Sequence, residues 1–468
     1  MPSDRAATKG YSVSLDRDSA REFLRRNDKI EEIDLLVSDL NGILRGKRVP
    51  VSSLDRLYEI GMKLPLSALA LDIWGEDVND SGLIWETGDS DGSCMPCGAG
   101  IVSVPWASRP RAQMLLSMNN PDGTPFMVDP RQVLTRQVER AKAMGVTLVV
   151  ATELEFYLMD GDVLKTGRPR PPAAPESGYP IEVSQLYSMD ELEEFSGVFT
   201  DIRDACVAQG IPGDTCIVEN GPGQFEINLE HIDDPVLAAD QAVLFKRIVR
   251  SIARRHELHA TFMPKPYGNQ SGSGFHIHCS ALDRDGRNIF DDGTEAGSDA
   301  LRHAVGGVLE MMPTSMLIFA PNLNGYRRFQ AGTHAPTYAT WGYENRSTSI
   351  RIPNSSNKAR RFEHRVAGAD SNPYLVLAAI IAGVLHGLEN KCDPGAPVRG
   401  SAYEQSSSEK SLPSDWDWAI DLFRDSKVLR DSLGTDFHKV FLAVKWQERN
   451  KMARRVTDAE YASYLGVL

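Results

Sequence analysis

The segment VVATELEFYL (149–158) constrains the fold more than any other stretch of this sequence. It is rich in β-branched and aromatic residues, which predicts a β-strand. Glu153 and Glu155 are two residues apart, so both carboxylates point to one face and the intervening apolar residues point to the other. Two neighbouring carboxylates repel each other and lose hydration on burial unless a cation lies between them. The pattern predicts either a strand with one solvated face or an oxygen-rich site that suits Mg²⁺ or Mn²⁺.

Length, charge and cysteine content narrow the class of protein. A chain of 468 residues is too long for one ordinary core, so two domains are expected. The net charge of −13 argues against broad binding to nucleic acid. The six cysteines form no dense framework, which favours a reducing cytoplasm. The longest apolar run, 375–385, is too short to span a bilayer, so we expect a cytoplasmic protein with no membrane partner.

Three further segments place carboxylates or imidazoles opposite an apolar face. They are 216–231, 272–280 and 359–366, each with the alternation of a short strand. The side chains concerned are Glu219, Glu226, His276, His278 and Glu363. One such alternation is weak evidence, and a single histidine is more often a core residue than a ligand. Several segments with the same pattern predict a funnel that holds two or three divalent cations.

Arginines in flexible loops point to the substrate chemistry. The segment 322–354 is rich in Gly and Pro and carries Arg327, Arg328, Arg346 and Arg351. Arginine in such loops binds carboxylates and phosphates. Divalent cations together with arginines predict phosphoryl transfer.

Local signals predict several other elements. Asn41-Gly42 predicts a hairpin within 33–50. Asp129 is expected to cap a helix that starts near Pro130, and a second helix is predicted over 190–209. The acidic stretch 66–96 and the Ser-rich stretch 401–412 are expected to be irregular.

These motifs resemble those of the glutamine synthetase family along nearly the whole chain. The matching segments are DLNGILRGKRVP (39–50), DGTPFMVDPRQVL (122–134), ELEF (153–156), ENGPGQFEINL (219–229), GSGFHIHCS (272–280) and NRSTSIRIP (345–353). The resemblance implies an α+β fold: an N-terminal β-grasp domain and a larger catalytic domain in which helices surround an antiparallel β funnel. We expect a disordered N-terminus (1–18), the β-grasp domain (19–128) and the catalytic domain (129–468). A dodecamer of two hexameric rings is also implied, with active sites between subunits.

The resemblance also assigns roles to individual residues. One metal site would use Glu155, Glu219 and Glu226, and the other would use Glu153, His276 and Glu363. The residues expected to hold glutamate are Gly272, Arg328 and Arg365. The residues expected to hold ATP are His278, Ser280, Arg346, Arg351 and Arg361. The expected catalytic residues are Asp72, His334 and again Arg346. The implied chemistry is phosphorylation of the glutamate γ-carboxylate by ATP, followed by attack of an amine and release of phosphate.

The sequence departs from the family pattern around the amine. The flap reads GTHAP (332–336), with His334 where the family carries a glutamate that closes over ammonium. The stretch LDIWGED (71–77) keeps Asp72 but lacks the family's Gly-Ser-Ser, and Ser271 replaces a usual asparagine. These segments look like the subfamily that glutamylates polyamines. The residues predicted to bind the amine are Glu76, Asp77, Trp74 and Trp341, although loop packing is the alternative for each aromatic ring.

The sequence therefore predicts an ATP-dependent ligase that joins glutamate to putrescine or another polyamine. Two alternatives belong to the same class of enzyme: a ligase for a monoamine such as ethanolamine or isopropylamine, and an ordinary glutamine synthetase. A third is a non-catalytic structural relative. Such a relative is expected to lose metal ligands, whereas all six are present here.

Overall fold

The computed structural model describes residues 16–330, 332–404 and 411–468. The strands are β1 (Glu32–Ser38), β2 (Leu44–Pro50), β3 (Met62–Pro65), β4 (Asp91–Ser103), β5 (Arg111–Asn119), β6 (Thr147–Asp160), β7 (Gly213–Val218), β8 (Gln224–Leu229), β9 (Leu258–Thr261), β10 (Phe275–Leu282), β11 (Trp341–Tyr343), β12 (Ile350–Ile352) and β13 (Phe362–His364). The helices are α1 (Arg17–Arg26), α2 (Leu54–Ile60), α3 (Pro130–Ala143), α4 (Val163–Thr166), α5 (Met189–Glu194), α6 (Ser196–Ala208), α7 (Pro235–Arg255), α8 (Asp299–Phe319), α9 (Pro373–Asn390), α10 (Trp416–Asp425), α11 (Lys427–Leu433), α12 (Thr435–Ala453) and α13 (Asp458–Tyr464). Short 3₁₀ helices cover Val51–Ser53, Leu66–Leu69, Asn79–Ser81, Leu323–Arg328, Asn357–Ala359 and Ala402–Glu404.

Parts of two segments that were predicted to be irregular lie outside this description. Residues 1–15 of the predicted disordered N-terminus and 405–410 of the Ser-rich stretch lie outside the described residues. Helix α1 begins at Arg17 and so includes the last two residues of that predicted N-terminus, because the Asp16 carboxylate accepts a hydrogen bond from the Ser19 amide.

The N-terminal sheet has five strands in the order β2-β1-β5-β4-β3. The predicted hairpin of β1 and β2 is confirmed. Its turn forms because Asp39 accepts hydrogen bonds from the amides of Asn41 and Ile43, and because Gly42 adopts a φ of 72°. Strands β1 and β5 are parallel, so the sheet is mixed.

The second sheet holds the strands that carry the predicted ligands, in the order β11-β12-β13-β10-β6-β8-β7, with β9 also paired to β6. Its strand pairs are antiparallel except for β11 and β12, which are parallel. The predicted antiparallel arrangement therefore holds for the strands that carry the predicted ligands, and the one parallel pair lies at the edge of the sheet. The alternation predicted for β6 is confirmed, since Leu154, Phe156 and Leu158 are fully buried.

Helices cover the apolar side of the second sheet. Helix α3 has the predicted cap, Asp129, which accepts a hydrogen bond from the Arg131 amide. Helix α9 is long and apolar enough to cross a membrane, but 78% of it is buried within this structure, as predicted for a core helix. The prediction of a single helix over 190–209 is wrong, because the helix is interrupted at Phe195, between α5 and α6. The buried Phe195 ring packs edge-on against Phe225 at 4.9 Å, and this contact overrides helix continuity.

Candidate active site

Strand register brings the predicted ligands to one face of the second sheet. Residues directly opposite each other in paired strands lie within side-chain reach. The opposed pairs are Glu153 with His276, Glu155 with Glu226, and His278 with Glu363. Two carboxylates in direct opposition, as in the second pair, repel each other unless a cation compensates their charge. The register therefore concentrates negative charge at the centre of the sheet.

This face forms the floor of a cavity of about 450 Å³. All six predicted metal ligands line it: Glu153, Glu155, Glu219, Glu226, His276 and Glu363. Four arginines share the lining: Arg328, Arg346, Arg351 and Arg365. The cavity thus combines oxygen-rich donors with guanidinium groups, as phosphoryl-transfer chemistry requires.

Two overlapping groups of donor atoms have the spacing of metal ligands. Glu153, His276 and Glu363 form the first group, and Glu155, Glu226 and His276 form the second. Within each group the donor atoms lie within 4.8 Å of one another. The first group is the predicted set, whereas the second contains His276 where Glu219 was predicted. Carboxylate-rich donors of this kind fit Mg²⁺ or Mn²⁺.

The pKa values of the cavity carboxylates also indicate that a bound cation would stabilise their charged forms. Burial and the nearby Glu153 raise the pKa of Glu226 well above its ordinary value. Burial, reinforced by Glu155, raises the pKa of Glu219 to about 8. Burial also opposes ionisation of Glu363, but the adjacent Arg365 outweighs it and lowers the pKa to about 2. Arginine therefore compensates the negative charge of Glu363, whereas the side of the cavity with Glu219 and Glu226 lacks enough positive charge.

Divalent cations are expected to stabilise the protein through this cavity. Mg²⁺ that binds the folded state at 100 times its dissociation constant adds about 2.7 kcal/mol to the free energy of unfolding. Thermal unfolding with Mg²⁺ and with a chelator measures the effect. The response should be largely lost in Glu226→Gln and retained in Glu230→Gln, a change of the exposed residue just after β8. An equal Mg²⁺ response in both variants would contradict the assignment.

Two arginines bind the same buried carboxylate. Arg351 Nη1 donates to Glu363 Oε2 at 2.9 Å, and Arg365 Nη1 donates to the other oxygen. Arg351 also lies 3.3 Å from Glu344 at the edge of the cavity. Charge-assisted bonds of this kind orient the guanidinium groups toward the cavity.

The loop before β10 packs closely on a third arginine. Arg328 is buried, and its Nη1 donates to the Val366 carbonyl at 3.0 Å. A Cβ atom at Gly272 would collide with the Arg328 side chain, so only glycine fits there. The adjacent Ser271 carbonyl accepts a hydrogen bond from Tyr157 Oη at 2.7 Å.

The predicted nucleotide residues on β10 and beside β13 lie next to the cavity. His278 Nε2 lies 2.7 Å from Glu153 Oε1, and Arg361 Nε donates to His278 Nδ1 at 3.1 Å. Because Nδ1 accepts from Arg361, Nε2 is the nitrogen that donates to Glu153. Ser280 is buried further along β10.

His334 lines the cavity at its flap. Its backbone adopts a φ of 57°, a left-handed conformation that is uncommon outside glycine. The flap is held next to it, where Tyr403 Oη donates to the Ala335 carbonyl at 3.2 Å. The imidazole therefore lies at the wall of the cavity, where its size affects access.

The acidic loop lies outside the funnel of its own chain. Asp72 and Glu76 both bind Lys451 of helix α12, and Gln447 Nε2 donates to Asp72 at 2.9 Å. Burial opposes ionisation of Asp72, but the bonds from Lys451 and Gln447 outweigh it and lower its pKa. The Trp74 ring lies beneath Lys451 Nζ, 5.5 Å from its centroid.

The neighbouring Asp77 also contacts helix α12, because its backbone carbonyl accepts a hydrogen bond from Gln447. Within one chain, the candidate amine residues of this loop are therefore docked on helix α12 and do not face the funnel.

The position of Trp341 corrects its assignment to the amine site. The ring is 1% exposed, and Nε1 donates to the Gly395 carbonyl at 3.2 Å. Tyr343 packs edge-on against it. These contacts make Trp341 a packing residue of strand β11, the alternative considered for each aromatic ring.

Sequence reasoning missed two groups of cavity residues. Gln224 Nε2 donates to the Gly272 carbonyl at 3.0 Å and lies 3.4 Å from Glu155, so it connects two walls of the cavity. Its position at the start of a strand beside a Gly-Pro-Gly turn was the available signal. Leu186 and Tyr187 reach the cavity from an irregular loop, where no periodicity indicates direction.

The fold and this cavity define a member of the glutamine synthetase family. Residues 127–464 match the family described as the catalytic domain of glutamine synthetase, and the chain therefore belongs to that family. It is 43% identical over 442 residues to γ-glutamylputrescine synthetase PuuA of Escherichia coli (strain K12). The alignment covers 94% of this chain and 93% of that protein.

Two other relatives match over nearly their whole length. A glutamate–isopropylamine ligase of Pseudomonas sp is 31% identical over 465 residues, covering 96% of this chain and 97% of that protein. A solved structure described as a GmaS/ADP complex superposes with a TM-score of 0.82 at 28% identity, covering 95% of this chain and 99% of that one. These relatives confirm the predicted family and its mixed α and β architecture.

Proposed function

We propose that this protein is an ATP-dependent ligase that joins the γ-carboxylate of L-glutamate to putrescine or a related polyamine. The observation that carries the proposal is the 43% identity to γ-glutamylputrescine synthetase over 94% of the chain. The carboxylate cavity supports it, because a non-catalytic relative would have no need to keep six potential metal ligands around one cavity.

The proposed phosphoryl transfer uses the negatively charged carboxylates and the positively charged arginines of the cavity. Two or three Mg²⁺ or Mn²⁺ ions held by the carboxylates and His276 would neutralise the ATP phosphates. Gly272, Arg328 and Arg365 are proposed to position glutamate. Arg346 and Arg351 are proposed to stabilise the charge on the transferred phosphoryl group. His278, Ser280 and Arg361 are proposed to hold the nucleotide beside the cavity.

The reaction then has two steps. A γ-carboxylate oxygen of glutamate attacks the γ-phosphorus of ATP, which forms γ-glutamyl phosphate and releases ADP. The amine nitrogen attacks the γ-carbonyl carbon, the C–O bond to phosphate breaks, and a base accepts the proton of the amine. Asp72 is proposed as that base. Because it lies outside the funnel of its own chain, a neighbouring subunit would have to supply it.

Residue 334 is proposed to set the choice of amine. A carboxylate in the flap attracts ammonium, whereas an imidazole offers no fixed negative charge and changes the shape of the mouth. Trp74, Glu76 and Asp77 are proposed to meet the distant ammonium of a diamine when a neighbouring subunit brings their loop to the funnel.

Replacing His334 with glutamate is expected to shift the preference toward ammonium. An added ion pair in an exposed site contributes up to about 1 kcal/mol, so the ratio of kcat/KM for ammonium to that for putrescine should rise by up to about 5-fold. His334→Gln, which adds no charge, is the matched control. An unchanged ratio in His334→Glu would mean that residue 334 does not select the amine.

Phosphate release tests the proposed activity. The assay supplies Mg²⁺, ATP and glutamate with ammonium, putrescine, spermidine, ethanolamine or isopropylamine, one at a time. We expect strong turnover with diamines and little with ammonium. Turnover confined to a monoamine or to ammonium would replace the polyamine assignment by the corresponding alternative, and no turnover with any amine would favour a non-catalytic role.

We also infer a cytoplasmic dodecamer of two hexameric rings, with a β-grasp domain over 19–128 and a catalytic domain over 129–468. The inference is supported by the family membership and by the position of Asp72 and Glu76 away from their own funnel. Light scattering of the purified protein would give the mass of 12 chains if this is right, and of one or two chains if it is wrong.

A further inference from the structure

We propose a second metal site, separate from the funnel, where Glu310, His386 and Cys392 would bind a zinc-class divalent cation. Glu310 lies on α8, His386 lies on the last turns of α9, and Cys392 lies just after the end of α9. One donor atom of each residue lies within 4.8 Å of the other two. Thiolate, imidazole and carboxylate are the three ligand types that Zn²⁺ prefers.

The distances between donors suit a tetrahedral ion. Ligands about 2.1 Å from a tetrahedral Zn²⁺ are separated from each other by about 3.4 Å. Here Glu310 Oε1 lies 3.2 Å from His386 Nε2, and the other oxygen, Oε2, lies 3.3 Å from Cys392 Sγ. An ion would therefore need only small side-chain movements, with water as its fourth ligand.

The backbone around Cys392 is held in place. Its amide donates to the Gly387 carbonyl at 3.1 Å, and its carbonyl lies 3.1 Å from His303 Nδ1. A Cβ atom at Gly306 would come within 2.6 Å of the same carbonyl. Lys391 adopts a left-handed φ of 52°, which turns the chain back over the helix pair. This close contact between α8 and α9 positions the thiol before any ion binds.

The surroundings of the other two ligands also favour a cation. Glu310 binds no lysine or arginine among the residues that the structure describes, and its side chain is 59% exposed. The carbonyl end of α9 adds partial negative charge. Asn390 lies 3.1 Å from His386 Nδ1, so it can orient the ring while Nε2 faces the ion.

Binding of the metal ion releases one proton, which comes from the Cys392 thiol. The Cys392 thiol forms a sulfur–metal bond and gives one proton to solvent, while neutral His386 donates its Nε2 lone pair and keeps its proton on Nδ1. In the metal-free structure Asn390 Nδ2 lies at Nδ1 and donates to the His386 carbonyl at 2.9 Å, so the Asn390 amide must turn over to present its oxygen to that proton. The bound ion would connect α8 to the end of α9.

Cobalt titration tests the site, because Co²⁺ bound to a thiolate has an intense charge-transfer absorption in the near ultraviolet. The reduced, metal-free full-length protein is titrated with Co²⁺ in excess Mg²⁺. We expect this band to saturate at one equivalent per chain and to disappear when Zn²⁺ is added. The funnel contributes no such band, since its proposed ligands contain no sulfur.

Substitutions distinguish Co²⁺ binding at Cys392 from binding at the other cysteines. Cys392→Ser should abolish the band, and His386→Gln should weaken Co²⁺ binding by roughly 10-fold or more. Cys216→Ser, a change of another half-buried cysteine on β7, should keep the band. The proposal is wrong if wild-type protein with a titratable free thiol shows no band, or if the band persists in Cys392→Ser. Turnover is not the readout, so failure here leaves the proposed ligase activity untouched.

Discussion

Replacing Glu226 with glutamine is expected to lower amine-dependent phosphate release at least about 100-fold, since a metal ligand supports several kcal/mol of charge stabilisation. Glu226 lies opposite Glu155 and belongs to the second donor group. The substitution keeps the shape of the side chain, so the buried strand β8 should still form. The initial rate at saturating ATP, glutamate and putrescine measures the effect.

The matched control is Glu230→Gln, which alters an exposed glutamate just after the same strand and should retain turnover within about twofold. If Glu226→Gln kept more than about a tenth of the activity, the second donor group would not hold a catalytic ion. Saturation with higher Mn²⁺ provides a second check, because a weakened metal site should recover part of its rate.

Replacing Arg365 with alanine is expected to lower the free energy of unfolding of the metal-free protein by about 3 kcal/mol, because breaking a buried ion pair leaves an uncompensated charge. Arg365 is 7% exposed and binds Glu363, which is 1% exposed. Arg351 still binds the other oxygen of Glu363, so the loss should stay short of complete unfolding. Denaturant titration in the presence of a chelator measures the change.

Mg²⁺ should reduce this loss, because a bound cation can replace Arg365 as the partner of Glu363. Arg327→Ala, a change of an exposed arginine in the 3₁₀ helix Leu323–Arg328, should alter the free energy of unfolding by less than about 0.5 kcal/mol. An effect of Arg365→Ala no larger than that of Arg327→Ala would show that the Glu363 pair does not stabilise the cavity.

The floor of the cavity was predictable because a strand has a side-chain period of two. Glu153 and Glu155 must share a face once Leu154 and Phe156 are buried, and the same rule applies to Glu226 and Asn228. Register across strands is not visible in a single segment. The family resemblance implied that Glu155 and Glu226 share a metal site, but their direct opposition and the position of His276 beside them are visible only in the sheet.

Predictions about loops were less successful because loops have no period. Trp341 is predicted from the sequence to bind the amine, with loop packing as the alternative, yet three residues of pairing with β12 place it in the core. The acidic loop was assigned to the amine, yet Asp72 and Glu76 find their cationic partner more than 370 residues away, at Lys451. Neither contact has a local signal, since both depend on where distant segments pack.

Transfer of heavy oxygen from glutamate to phosphate tests the central claim most directly. Glutamate carrying ¹⁸O in both γ-carboxylate oxygens is incubated with the protein, Mg²⁺, ATP and equal concentrations of putrescine and ammonium. Mass spectrometry then measures the phosphate and the products. The account predicts one ¹⁸O atom in the released phosphate and γ-glutamylputrescine in large excess over glutamine. Phosphate without ¹⁸O, or glutamine as the main product, would contradict it.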